Sequence, residues 1–316
     1  MDHYSRSALN TFAGLVLNRK PSAPLDAPDW EKSLTSKRAV FVVVRGDEIL
    51  FDGTRLEPLL LAPPMLGACD RAHLQAMLLG DDGSSSYFAI NIERLPAGTV
   101  QCLSSLGTFV PLRRHAAVLP RQMAALLGYA RAVAGWHNLA RYCGLCGHPT
   151  MPRPGSPAQT CTNPECGAVH FPRVNPAMIV LVHHRDSQGD RCLLGRQSLW
   201  QPRVYSALSG YVEPGESVED AVLREVMEET GVTVRDIHYF SSQPWPFSGS
   251  LMLGFHARAT STEIHLDDAE LEDARWFARH EIPGLLDSGE LALPSAETIA
   301  RHLFDAWYLG CDIGRD

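Results

Sequence analysis

Lysine is almost missing from this 316-residue chain: Lys20, Lys32 and Lys37 are the only three, although arginine is common. The formal net charge is -8, which argues against the broad basic footprint that duplex nucleic acid requires for phosphate neutralisation. Nowhere do about 18 apolar residues run together, so no membrane-spanning helix is expected. Met1 to Asn10 lack an apolar run behind a basic stretch, and Ile313 to Asp316 carry neither a peroxisomal tripeptide nor a prenylation box. These absences lead to the expectation of a cytoplasmic protein, with no membrane and no duplex DNA among its partners. A polyanionic substrate would then have to be met by metal ions and a few local arginines. No internal repeat or low-complexity tract is visible, and Pro21 to Pro28 reads as a surface loop.

What is present is an ordinary globular composition, 45% hydrophobic and 20% charged, enough for two modest cores and a small insert. From about Tyr4 to Pro111, short β-like runs (Ala39 to Val44, Tyr87 to Ile90) alternate with turn signals such as Asp81-Asp82-Gly83-Ser84. A helix fits Arg121 to Tyr142, with Leu127, Ala130, Ala134, Trp136 and Leu139 at helical spacing before Cys143-Gly144 breaks it. Further on, Ala177 to Val182 reads as a buried strand and Arg191 to Arg196 as its neighbour.

Eight cysteines divide into two groups. Cys69, Cys102, Cys192 and Cys311 are scattered and read as small buried hydrophobes. Cys143-x2-Cys146 and Cys161-x4-Cys166, fourteen residues apart, place four thiolates on two tight knuckles, the pattern of a closed tetrahedral zinc site. Four protein ligands leave no open position, so this Zn2+ would hold structure and perform no chemistry. His148 and His170 lie nearby, in the loop or behind the ligands.

The segment Gly210 to Val232 is the most informative. Pro214-Gly215 makes a turn, Ser217 can cap a helix with Asp220 three residues on, and Gly231 can end it. Val218, Ala221, Val222 and Met227 supply an apolar side, while Glu225, Glu228 and Glu229 cluster on another face. Adjacent like charges destabilise a helix, so such a cluster needs either full solvation or a cation. A hard divalent ion held by carboxylates and substrate phosphates would supply it.

The same segment resembles the Nudix box, Gly-x5-Glu-x7-Arg-Glu-U-x-Glu-Glu-x-Gly-U with U apolar, and agrees at Gly210, Glu216, Arg224, Glu225, Val226, Glu228, Glu229, Gly231 and Val232. Downstream, Ser242-Gln243-Pro244-Trp245-Pro246-Phe247-Ser248-Gly249-Ser250 resembles the signature of the NADH pyrophosphatase subfamily, which is also the subfamily of NAD-capped RNA decapping, with Ser248 where proline is usual. The four-cysteine cluster, Phe171-Pro172-Arg173, Glu270 to Phe277 and Thr298 to Arg301 fit the same subfamily.

The resemblance implies an α+β protein: an N-terminal Nudix-like α+β domain (1–138), a zinc ribbon (139–172) and a catalytic Nudix domain (173–316) of α/β/α sandwich type. It implies that Glu225, Glu228, Glu229 and Glu270 bind Mg2+ or Mn2+, and that Arg224 and Glu216 organise the loop and helix. Tyr211 would stack on a base, Gln243, Ser250 and Ala300 would line the pocket, and Phe171 and Ile179 would reach it from the second subunit of a homodimer. The implied reaction is hydrolysis of the NADH or NAD diphosphate to nicotinamide mononucleotide and AMP, with removal of NAD caps from RNA as the same chemistry. Alternatives are a Nudix hydrolase preferring ADP-ribose or dinucleoside polyphosphates, or a zinc-ribbon nucleotide-sensing regulator. The intact glutamate set disfavours the regulator.

Overall fold

The computed structural model describes residues 1–19, 27–67, 69, 74–187, 189–266 and 270–311. They form two compact units, one of Gly14–Val174 with Trp245–Gly249, the other of Met1–Ala13 with Asn175–Pro244 and Ser250–Asp316.

In the first unit, strands β1 (Ala39–Arg45), β2 (Glu48–Phe51), β3 (Met77–Asp81), β4 (Ser86–Asn91) and β5 (Thr108–Pro111) make one sheet in the order β3-β4-β1-β2-β5. β1 runs parallel to β4 and antiparallel to β2. The Val-rich β1 is buried almost throughout, because Phe41 and Val43 enter a core with Leu50, Leu61, Phe88 and Ile90 while the helix Arg121–Leu139 packs on β1, β3 and β4. The Asp82-Gly83-Ser84 signal turns β3 into β4, with Asp82 accepting from the amides of Ser84 and Ser85 at 2.8 and 2.7 Å. A small sheet of β6 (Thr150–Pro152), β7 (Gln159–Cys161) and β8 (Val169–His170) carries the cysteine knuckles.

In the second unit, β9 (Asn175–Asp186), β10 (Gly189–Arg196), β11 (Leu208–Tyr211), β12 (Val234–Trp245), β13 (Ser250–Ala259) and β14 (Asp273–Ala278) form a sheet ordered β12-β13-β9-β10-β14, with β11 also paired to β9. Alternate residues of β9 feed opposite faces. Met178, Val180 and Val182 pack with Ala221, Val222 and Val226 of the helix Val218–Thr230, and Ile179 and Leu181 with Leu303, Phe304 and Trp307 of the helix Ile299–Tyr308. A strand buried on both faces reads as a continuous apolar run, which is what Ala177 to Val182 shows. The result is helix, sheet, helix in three layers.

The segment Met1–Ala13 belongs to this second unit. Buried Asn10 donates from Nδ2 to Ser241 Oγ (3.2 Å) and to the Ser242 carbonyl (2.8 Å), and its Oδ1 meets His302 Nδ1 at 2.7 Å.

Several expectations change. The long helix stops at Leu139, three residues before the expected Tyr142, and Leu139 itself faces solvent. Met227 is exposed, and Val226 takes the buried place expected of it. Cys69 and Cys102 are joined in a disulfide, because the helix Ala97–Ser104 packs beside Cys69, a proximity that a sequence separation of 33 hides. Cys192 is buried as expected, whereas Cys311 is exposed. Of the expected loop Pro21 to Pro28, positions 21–26 lie outside the described residues, and Ala27-Pro28 open the helix Ala27–Thr35. The C-terminal positions 313–316 also lie outside them. Among the described residues, no helix is long and apolar enough to cross a membrane.

Candidate active site and cysteine cluster

The helix Val218–Thr230 starts where the chain chemistry dictates. Ser217 accepts the Asp220 amide at 3.1 Å while the Asp220 carboxylate accepts the Ser217 amide at 3.0 Å, a reciprocal cap. It stops at Gly231, whose φ of +69° suits glycine. Between these ends Arg224 acts as a clamp. Its Nε and Nη2 donate to the two oxygens of Glu216 (3.1 and 2.6 Å), Nη1 to Glu225 (2.9 Å) and Glu228 (3.0 Å), and Nη2 also to the Tyr211 carbonyl (2.9 Å). The Glu216 contact contributes most to holding the guanidinium charged, and the same contact keeps the Glu216 carboxyl below its ordinary range. Glu216 also accepts the Glu213 amide at 2.7 Å, which fixes the loop before the helix.

Glu229 stands apart from this network. It is only 6% exposed, and among the described residues no donor reaches its Oε2. Burial, then the charges of Glu225, Glu270 and Glu228, pushes its carboxyl up to about 8. Burial likewise raises Glu225, with Arg224 opposing and Glu228 and Glu270 adding to the rise. Glu228 and Glu270 are exposed. Two partly buried carboxylates, with two more charges acting on them and one oxygen that no described donor reaches, form an acidic group that a divalent cation would neutralise. The donor set, all carboxylate oxygen, fits Mg2+ or Mn2+.

Tyr211 and Ser250 sit on strands flanking the start of β9: Tyr211 pairs with Ala177 and Ser250 with Asn175. The buried Ser250 hydroxyl donates to the Tyr211 hydroxyl at 3.5 Å, and Tyr211 is 53% exposed. Gln243 is buried and fully engaged: Nε2 donates to the Thr11 and Glu297 carbonyls (3.1 and 3.3 Å), and Oε1 accepts the Ile299 amide at 2.9 Å. Its amide thereby anchors the start of the helix that carries Ala300. Ala300 and Ile179 both lie in the core beneath that helix, Ile179 only 5% exposed. Phe171, by contrast, is 63% exposed.

The four knuckle cysteines bring their sulfurs within 4.8 Å of one another. The Cys143–Cys166 and Cys146–Cys161 separations are 3.8 and 3.4 Å, near the ~3.8 Å edge of a tetrahedron built on ~2.3 Å metal–sulfur bonds. His170 Nε2 lies 3.2 Å from the Cys143 sulfur and His148 Nδ1 3.3 Å from the Cys146 carbonyl, both outside the four-sulfur set. Donation from the backbone near His148 draws the Cys146 thiol down to about 6, whereas burial pushes the Cys161 thiol up to about 12, so a metal bound by all four would have to displace the Cys161 proton.

Sequence reading missed the partners of the Pro-Trp-Pro-Phe loop. Trp245 and Phe247 meet edge to face (5.3 Å), Arg113 stacks over both rings, and Arg131 donates to the Pro246 carbonyl and pairs with Asp47. The aromatic cluster signalled a packed loop, but nothing in the sequence assigned these distant arginines to it.

Residues 174–301 match the NUDIX domain, and residues 38–136 match the NADH pyrophosphatase-like rudimentary NUDIX domain. The chain thus carries a Nudix domain preceded by a rudimentary domain of the NADH pyrophosphatase-like kind. Among curated relatives, the NAD-capped RNA hydrolase NudC of Stutzerimonas stutzeri (strain A1501) is 48% identical over 190 residues, 60% of this chain and 63% of that protein. The NAD-capped RNA hydrolase NUDT12 of Macaca fascicularis is 38% identical over 237 residues, covering 72% and 51%, and Nudix hydrolase 19, chloroplastic, of Arabidopsis thaliana is 40% identical over 226 residues, covering 58% and 51%. The chain thus spans about half to two thirds of the length of these relatives.

Proposed function

We propose that this chain is a metal-dependent diphosphatase that hydrolyses NADH or NAD to nicotinamide mononucleotide and AMP and removes NAD caps from RNA by the same chemistry. The observation that carries the reading is the buried Glu229 carboxylate, whose Oε2 meets no donor among the described residues, acted on by Glu225, Glu228 and Glu270. The relatives' names supply the substrate class.

In this reading Glu225, Glu228, Glu229 and Glu270 hold Mg2+ or Mn2+, which when bound shields the diphosphate and lowers the pKa of a water. Arg224 and Glu216 keep the helix and its preceding loop in register. Glu229 Oε2, which no donor among the described residues reaches, would accept the proton of the water attacking the adenylate phosphorus once a cation held by these carboxylates keeps Glu229 ionised. Tyr211 stacks on a base and Ser250 orients the Tyr211 ring through its hydroxyl, while Gln243 positions the helix of Ala300. Cys143, Cys146, Cys161 and Cys166 hold a structural Zn2+. The domains follow 1–138, 139–172 and 173–316, with Met1–Ala13 and Trp245–Gly249 each folded into the other compact unit. The active form is a homodimer in which exposed Phe171 reaches the second copy, Ile179 being committed to its own core.

Incubation of the full chain with NADH and magnesium should yield equimolar AMP and reduced nicotinamide mononucleotide by nucleotide chromatography, and Glu229→Gln should lower kcat about a hundredfold or more. Free nicotinamide or ADP-ribose as first product, or near wild-type turnover in the variant, would refute the reading.

A further inference from the structure

Arg94 ends the short turn Ile92–Arg94 that follows β4 and is half-buried. Nη1 donates to the His137 carbonyl (3.1 Å) and to Gln159 Oε1 (3.0 Å), and Nη2 reaches the Thr150 carbonyl at 3.5 Å. All three acceptors are neutral. Burial and then the charge of Arg141 lower its hold on its proton, and no acidic side chain among the described residues offsets them. Arg141 likewise gives its Nε to the Asn138 carbonyl, at 3.1 Å. Among the described residues neither arginine has an ion-pair partner, and the partly buried Arg94 charge is costly unless paired.

Both arginines line one cavity of about 260 Å³, together with Gln75, Glu93, Tyr142 and Thr150. Glu93 is exposed, and its Oε2 already accepts from Asn138 Nδ2 at 2.6 Å. Tyr142 presents its ring to solvent, 68% exposed. The cavity lies just below the ~300–1,000 Å³ of ordinary small-molecule pockets, which suits a phosphate with part of its nucleotide and excludes a whole dinucleotide. We propose that it binds a nucleotide phosphate between Arg94 and Arg141, with the adjoining base laid on the Tyr142 ring. Guanidinium pairs recognise phosphate oxygens, and an exposed aromatic ring beside them accepts any base. The phosphate can come from a free mononucleotide or from an RNA strand.

The test uses the full chain in buffer without divalent metal, so binding is read without turnover and independently of the diphosphatase reading. The probes are AMP and a fluorescent eight-nucleotide oligoadenylate with a 5′-hydroxyl, with zinc content and melting temperature as fold controls. Arg141→Gln and Tyr142→Ala on the rim should each weaken binding at least about fivefold, and Tyr142→Phe should restore it. For the oligonucleotide, Arg141→Gln should flatten the slope of log affinity against log salt by about 0.7, one phosphate contact on a single strand. Oligoadenylate bound tenfold or more tighter than AMP assigns the site to RNA. Equal affinities assign it to mononucleotides. Absence of saturable binding, or the same affinity in wild type and in folded Arg141→Gln and Tyr142→Ala, overturns the proposal.

Discussion

A methyl group on Gly210 would fall 1.9 Å from the Glu225 carboxylate, so glycine at this position lets that carboxylate lie against the backbone of β11. Gly210→Ala should therefore displace Glu225 and lower magnesium-dependent kcat by about a hundredfold, the scale of losing one preorganised charged group. Melting should change little, because the atom that yields is the end of a flexible side chain. Glu229 gives the second expectation at this scale. Its folded pKa of about 8 stands above its ordinary 4.5, so the folded state holds the proton more tightly, and this stabilisation is complete below the unfolded pKa and lost as pH rises towards 8. Without divalent metal the melting temperature should fall between about pH 5 and pH 8.5, and magnesium should raise it more at the upper end. Thermal melts that show the same pH dependence in Glu229→Gln would reject the assignment. The spacing of the glutamates was legible in the sequence; the close approach at Gly210 and the donor-free environment of Glu229 were not, because both depend on β11 and the helix meeting in space.

At the level of elements, local chemistry spoke clearly. The Ser217 and Asp220 cap, the Gly231 stop and the apolar run of β9 need only neighbouring residues to be recognised, and each forms as the sequence indicates. What it could not fix was fine rotation: the stripe of the helix admits Val226 or Met227, and packing on β9 chose the former. The disulfide between Cys69 and Cys102 was equally hidden, being a tertiary contact. For the knuckles, Cys143→Ser should lower zinc content and melting temperature together, since metal binding at a closed four-thiolate site adds to folding free energy. Elemental analysis beside thermal melting checks this, and full zinc with unchanged melting would contradict the structural role.

On the scale of the whole molecule, one sheet order occurs twice. β3-β4-β1-β2-β5 and β12-β13-β9-β10-β14 share the same arrangement, each with a central strand parallel to one neighbour and antiparallel to the other. No repeat is visible in the sequence because a fold constrains hydrophobic pattern and turns far more than residue identity. The N-terminal copy has no counterpart of the helix Val218–Thr230 between β2 and β3 among the described residues, and so no glutamate cluster of that kind. If Phe171 contributes to a site on a second copy, light scattering at assay concentration should give twice the 34.7 kDa chain mass, and a catalytically competent monomer would refute the shared site.

The attachment of Met1–Ala13 to the later unit has a bearing on the order of assembly. A chain grows from its amino end, so this segment leaves the ribosome long before Ser241, Ser242 and His302, the partners of Asn10, exist. Gly14–Val174 can close its own core first, while the earliest residues stay unattached and wait. The clasp that Asn10 makes is then among the last to shut, and a bulky fusion ahead of it would burden the later unit at the far end of the sequence more than the sheet that follows it directly.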